Sequence, residues 1–237
     1  MPDFQPSPVP LLSARLNLAA LTSEELGLLL GEASAQRLMP DVSRARLEGR
    51  ALLGYALPAE QTYQAQAERD WGATPGVARH LAALRVELHE LGGLDLGVYH
   101  LPLLPEVRHQ RAYIFSPDTA LSLRWSESPE SAASSPFLVA ATLLRDRASG
   151  TAAVLSSTAA LPFVPTQSEE IDARLHVGAS PRALLDAHHT QVARHGRGVR
   201  LGSEADWLKV QHAVRRLNIA AWTRRGLLVD EQGHGPL

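Results

Sequence analysis

Gln110-Arg111-Ala112-Tyr113-Ile114-Phe115-Ser116-Pro117-Asp118-Thr119-Ala120-Leu121-Ser122-Leu123-Arg124-Trp125 is the stretch that decides the fold. Tyr113 and Phe115, then Leu121, Leu123 and Trp125, alternate with smaller or polar neighbours, which is the period of a half-buried strand. Ser116-Pro117-Asp118-Thr119 between them is a turn sequence, so 110–125 reads as a hairpin. A second hairpin is expected over 137–158, with 137–145 and 151–158 as strands and Asp146-Arg147-Ala148-Ser149-Gly150 as the turn. The first of these strands is apolar on both faces, which predicts a central place in the sheet. Ser126 to Pro136 reads as a polar loop.

Helical signals lie on both sides of this β region. Thr22-Ser23-Glu24-Glu25 is a capping box, followed by Leu26, Leu29, Leu30, Ala33 and Leu38 at roughly helical spacing. Pro40 and Pro58 punctuate the next stretch, and 41–56 reads as a weaker helix interrupted by Gly49 and Gly54. A third helix over 76–91 carries Val77, Leu81, Leu84, Leu88 and Leu91 on one stripe and stops at Gly92-Gly93. Downstream, 159–180 reads as an irregular connection. Ser180-Pro181 starts a helix to about His195, with Gly196 beyond it. Ser203 with Asp206 starts a last helix to about Arg225, and Leu227-Leu228-Val229 could add a strand. The expectation is an α+β protein. It would have an antiparallel sheet of four or five strands, helices before it, and two C-terminal helices packed on it. Residues 1–20 read as an extended lead-in and 21–237 as a single domain, with 21–93 as a candidate helical subdomain.

Part of this pattern resembles a bacterial protein family to which no activity is assigned. The aromatic hairpin Tyr113-Ile114-Phe115-Ser116-Pro117-Asp118, the second hairpin Phe137–Thr158, and Ala179-Ser180-Pro181 with Leu184-Leu185 and His188 carry the resemblance, over about 110–195. It implies a shared domain and carries over no functional residue.

Composition narrows the function classes. With 237 residues and an apolar fraction of 45%, the chain can build its own core without disulfides or a structural metal. It has no cysteine, which excludes thiol nucleophiles and thiolate metal sites. The first ten residues have neither a basic nor an apolar region of the signal-peptide kind. The longest apolar stretch, Phe137 to Leu144, falls far short of the ~20 residues that span a bilayer. A soluble, cytoplasmic protein with no membrane partner is expected. No Walker sequence or Gly-x-Ser-x-Gly elbow occurs, and Gly196-x-Gly198-x-x-x-Gly202 follows a helix with the wrong spacing for a dinucleotide loop. No cofactor and no catalytic residue are assigned.

Charge is the strongest functional signal. Residues 181–226 hold nine basic side chains against three acidic ones, whereas the whole chain carries a formal net charge of −2. Such segregation suits an anionic partner at one end of the chain, or pairing with its acidic remainder. Arg194, His195, Arg197 and Arg200 crowd the loop 196–202 just before a helix amino terminus, a place that favours anions. Within the last helix Gln211, Arg215, Asn218 and Trp222 form one ridge beside the apolar stripe of Trp207, Val210, Val214, Leu217 and Ala221. The functional expectation is a non-catalytic binding protein for an anionic partner, nucleic acid first. Arg194, Arg197, Arg200, Arg215 and Arg216 would contact phosphate and Trp222 would stack on bases. The plainer expectation is that these arginines pair with carboxylates and Trp222 covers the sheet.

Two alternatives stand beside it. A histidine-based metal enzyme would use His188 or His195, although a spacing of seven residues puts them ~10 Å apart along a helix. Each reads more simply as a hydrogen-bonded core histidine, and no metal site is assigned. A structural homo-oligomer would expose an apolar patch at Leu227-Leu228-Val229 or along an edge strand.

Overall fold

The computed structural model describes residues 14–58, 61–101, 107–129, 131, 135–146, 149–162, 164–231 and 233. Most of the expected lead-in, and Arg147 and Ala148 of the second turn, lie outside them. Strand β1 (Ala14–Asn17) leads through the 3-10 turn Leu18–Ala20 to helices α1 (Ser23–Leu30) and α2 (Glu32–Leu47). Strands β2 (Leu53–Leu57) and β3 (Gln64–Gln66) precede α3 (Pro75–Glu90). Then come β4 (Leu94–His100), β5 (His109–Phe115), β6 (Thr119–Trp125), β7 (Phe137–Leu143), β8 (Ala153–Ser157) and β9 (Ile171–Leu175). Helices α4 (Pro181–His195) and α5 (Glu204–Arg224) and strand β10 (Leu228–Val229) complete it.

The α+β class holds, but the sheet is larger than the expected four or five strands. Strands β3 to β9 form one seven-stranded sheet in sequence order, and β10-β1-β2 form a second of three strands. All neighbours in the large sheet are antiparallel except β8 and β9, which run parallel. The two expected hairpins are its centre, with Tyr113 opposite Leu121 and Ala141 opposite Leu155. The unread strands lack a strand signature. β3 is Gln-Ala-Gln, β9 sits inside the proline-flanked connection, and β4 is bent at Gly97, where the register shifts and φ is 94°.

Helix starts follow the capping chemistry. Thr22 Oγ1 accepts from Glu25 N while Glu25 Oε2 accepts from Thr22 N, at 3.1 and 2.9 Å. Ser180 and Ser203 accept from the amides three residues on. Two boundaries differ from expectation. Gly31, at φ 77°, separates α1 from α2, and α2 runs through Pro40. The weak helix expected over 41–56 ends at Leu47, and 53–57 is β2.

The two C-terminal helices take opposite faces of the large sheet. α3 and α4 cover one face, where Leu81, Leu88, Leu184 and Leu185 pack on Tyr113, Leu121, Leu123 and Leu138. α5 covers the other, where Trp207 and Val210 meet Ala112, Ile114, Ala120 and Ala141. The N-terminal helices do not form a core apart from the rest. One apolar cluster joins Leu16, Leu26 and Val42 to Phe137, Val139, Trp222 and Leu228. Leu227 and Leu228 are buried in it and Val229 is buried beside them, so these three residues present no exposed apolar patch for a second copy. No helix among the described residues is long and apolar enough to cross a membrane.

Candidate ligand-binding cavity

Beyond Val210, α5 presents Gln211, Arg215, Asn218 and Trp222 to a cavity of about 280 Å³. This is the polar ridge read from the helical period, and all four members are buried. The opposite wall is the sheet face made by alternate residues of three strands: Arg124 of β6, Phe137 and Val139 of β7, and Leu155 of β8. The connection before β9 closes a third side with Val164, Pro165 and Thr166. α5 holds that connection in place. Asn218 Oδ1 accepts from Ser168 N at 2.8 Å, its Nδ2 donates to Gln167 at 2.6 Å, and Trp222 Nε1 donates to the Thr166 carbonyl at 2.9 Å.

Two cations line this largely apolar space without a carboxylate partner among the described residues. Arg215 is 5% exposed; it donates to the Pro58 carbonyl, its guanidinium lies 5.5 Å from the Trp222 ring, and its Nε has no hydrogen-bond partner. Burial lowers its pKa to about 10. Arg124 Nε donates to Gln110 Oε1 at 3.2 Å and its Nη2 reaches Gln211 Oε1 at 3.4 Å, so both partners are neutral. Burial lowers its pKa as well. Between them Tyr63 is pushed up to about 12 by burial, with both arginines pulling the other way. Glu25, the carboxylate of the wall, is already engaged. It accepts from Thr22 N and pairs with Arg225 at 2.6 Å, and although burial raises its pKa, its hydrogen bonds outweigh that and hold it low.

The six residues assigned to an anion site are therefore divided. Arg215 and Trp222 meet inside the protein, and Trp222, 1% exposed, offers no ring face for a base to stack on. Arg194, Arg197 and Arg200 are exposed around the end of α4 and the following loop, and Arg216 is exposed on α5. Nearby basic groups are paired, with Arg224 on Glu169 and Lys209 on Asp206. The amino terminus of α5 is not an open anion site. Asp206 accepts from Gly202 N at 3.1 Å and from Ser203 Oγ at 2.9 Å, and the Lys209 and Ser203 hydrogen bonds hold its carboxyl at about 2. The glycine in that loop has a packing reason: a Cβ at Gly198 would stand 2.3 Å from Asp118 Oδ2.

The histidines of α4 are held by hydrogen bonds. His188 is wholly buried between Ser156 Oγ, 2.9 Å from Nδ1, and Thr142 Oγ1, 3.0 Å from Nε2. Both hydroxyls also reach carbonyl oxygens, Ser156 donating to Gln191 Oε1 at 3.0 Å and Thr142 to the Asp118 carbonyl at 3.1 Å. Burial lowers the pKa of His188 to about 3, so the ring is neutral. His195 Nε2 lies 3.0 Å from Asp172 Oδ2 on the same face. No three His, Asp or Glu side chains converge to hold an ion among the described residues.

Arg124 and Gln61 are the cavity residues that sequence reasoning missed. Ala120, Ser122 and Arg124 make a small and polar strand face that reads as solvent-facing, whereas α5 covers it. No family model, no curated protein and no solved structure matches the chain.

Proposed function

We propose that this is a non-catalytic binding protein whose ligand is an anion taken into the cavity between α5 and the sheet. The observation that carries the reading is Arg215, nearly fully buried and charged at neutral pH, with a backbone carbonyl but no carboxylate partner among the described residues. A buried cation without a counter-charge costs several kcal/mol, and folded proteins keep one where it does something. A second guanidinium, Arg124, faces the same space, so an anion there would be held by two forked donors in a low-dielectric setting. The test is thermal unfolding of the full chain with small anions and their neutral analogues. An anion that binds the folded state at a hundred times its Kd raises stability by ~2.7 kcal/mol. That gain is expected to vanish in Arg124→Met and Arg215→Met.

A second reading is favoured by the exposed arginines. Arg194, Arg197 and Arg200 stand within one loop region with no ion pair seen for them among the described residues, which suits a polyanion such as nucleic acid. Three phosphate contacts give a salt slope near −3 for duplex DNA. Titration of DNA and RNA at two salt concentrations reads this directly, and absence of binding at low salt removes it.

A further inference from the structure

We infer that the cavity takes an amphipathic monoanion, a carboxylate head on a short apolar tail, with the head at Arg124 and Arg215. The inference rests on the anionic-ligand reading and names its substrate class. It comes from an inventory of donors. Thr166 is hydrogen-bonded to Glu25, and Ser157 Oγ accepts from Ala159 N. Both amide atoms of Asn218 are engaged with 167 and 168, and Trp222 Nε1 is committed to a carbonyl. Arg174, the other cation that lines the space, already has a carboxylate in Asp172. The charged groups left for a ligand are the two guanidiniums, including the Arg215 Nε that has no partner, beside the neutral Ser157 hydroxyl and the Gln61, Gln167 and Gln211 amides.

Much of the remaining wall is apolar. Leu28, Val139, Leu155, Val164 and Leu175 offer no donors for the several oxygens of a phosphate or a sugar. An apolar tail against them releases water, while a planar carboxylate matches one guanidinium fork and touches the second. A space of about 280 Å³ accommodates a medium-chain acid such as octanoate.

Calorimetric titration of the full chain with octanoate, octanol, acetate and inorganic phosphate tests this. Octanoate is expected to bind more tightly than acetate and octanol, each by at least ~tenfold. Arg215→Met is expected to remove that preference over octanol. Arg215→Met swaps a buried cation for an apolar chain of similar length, so it should fold. Leu155→Trp, which fills the tail region, should weaken octanoate and spare any acetate binding. If phosphate or acetate binds as well as octanoate and depends on Arg215, the tail inference is overturned and the anionic-ligand reading stands. If none of the four binds, or if octanol equals octanoate in both wild type and Arg215→Met, both are overturned.

Discussion

The two faces of the large sheet treat buried guanidinium groups in opposite ways. Under α3, Arg111 is 5% exposed and bonded to Asp95 at 2.6 Å and to both oxygens of Glu68, with Arg85 closing the cluster. Burial works against its charge, but these hydrogen bonds outweigh it and hold its pKa above the usual arginine value. Under α5, Arg215 is buried to the same degree and Arg124 lines the same cavity, yet both have neutral partners and lowered pKa values. The α4 side repeats the first pattern with neutral groups, since both nitrogens of His188 are hydrogen-bonded. Arg111 and His188 are surrounded by partners, although the Tyr113 hydroxyl and Trp71 Nε1 of the same face have none among the described residues. The cavity arginines have only neutral partners among the described residues, which is the contrast that the proposed anion site rests on.

The largest effect should come from making the first face resemble the second. Removing Glu68 and Asp95 together, as alanines, leaves Arg111 buried without a counter-charge and is expected to cost about 3–5 kcal/mol in chemical denaturation. A loss below 1 kcal/mol would mean that Arg111 is hydrated, and the contrast would dissolve. The pH profile sharpens the same contrast. The folded-state pKa of His188 is lowered to about 3 from 6.5, so the unfolded chain takes up this proton first. Its contribution is complete above pH 6.5 and is lost as pH falls towards 3, at up to ~1.4 kcal/mol per pH unit. In His188→Gln that part of the slope should disappear; an unchanged profile would show that the ring is accessible to protons.

Gly198→Ala tests how tightly the loop after α4 is set against the turn at Asp118. Overpacking there should cost about 1–3 kcal/mol, read from the denaturation midpoint. Arg215→Met should go the other way and stabilise the ligand-free chain by about 1 kcal/mol. Relief of a buried charge outweighs the lost bond to Pro58 there. Destabilisation by this variant would place Arg215 with Arg111 as a structural group. The smallest effect is expected at Arg197, exposed in its loop, where alanine should change stability by less than ~0.5 kcal/mol.

Much of this architecture was legible because period and capping are local. The 110–125 hairpin, the Thr22 box and the starts of α4 and α5 all stand where short-range chemistry puts them. β3, β4 and β9 were not legible, because what makes Gln64–Gln66 a strand is the edge of β4 beside it and not its own three residues. The candidate site was half legible for a related reason. Helical spacing identified Gln211, Arg215, Asn218 and Trp222 as one ridge, but a ridge carries no sign of whether solvent or a sheet lies opposite. Charge count pointed to the same segment but not to the burial of Arg215 and Trp222. Arg124 was invisible as a partner because 87 residues separate it from Gln211, and only the register of β6 under α5 brings them together.

The pairing of β1 with β10, and the ion pair of Glu25 with Arg225 across 200 positions, have a consequence for biosynthesis. During translation the hairpins of the large sheet can form as they emerge, since their pairings are sequential. The pocket cannot. One of its walls is the final helix, and the first strand waits unpaired on one side until residue 229 has left the ribosome. The cavity is thus closed only after α5 and β10 have emerged, and a nascent chain arrested before α5 would fold much of its sheet without that wall.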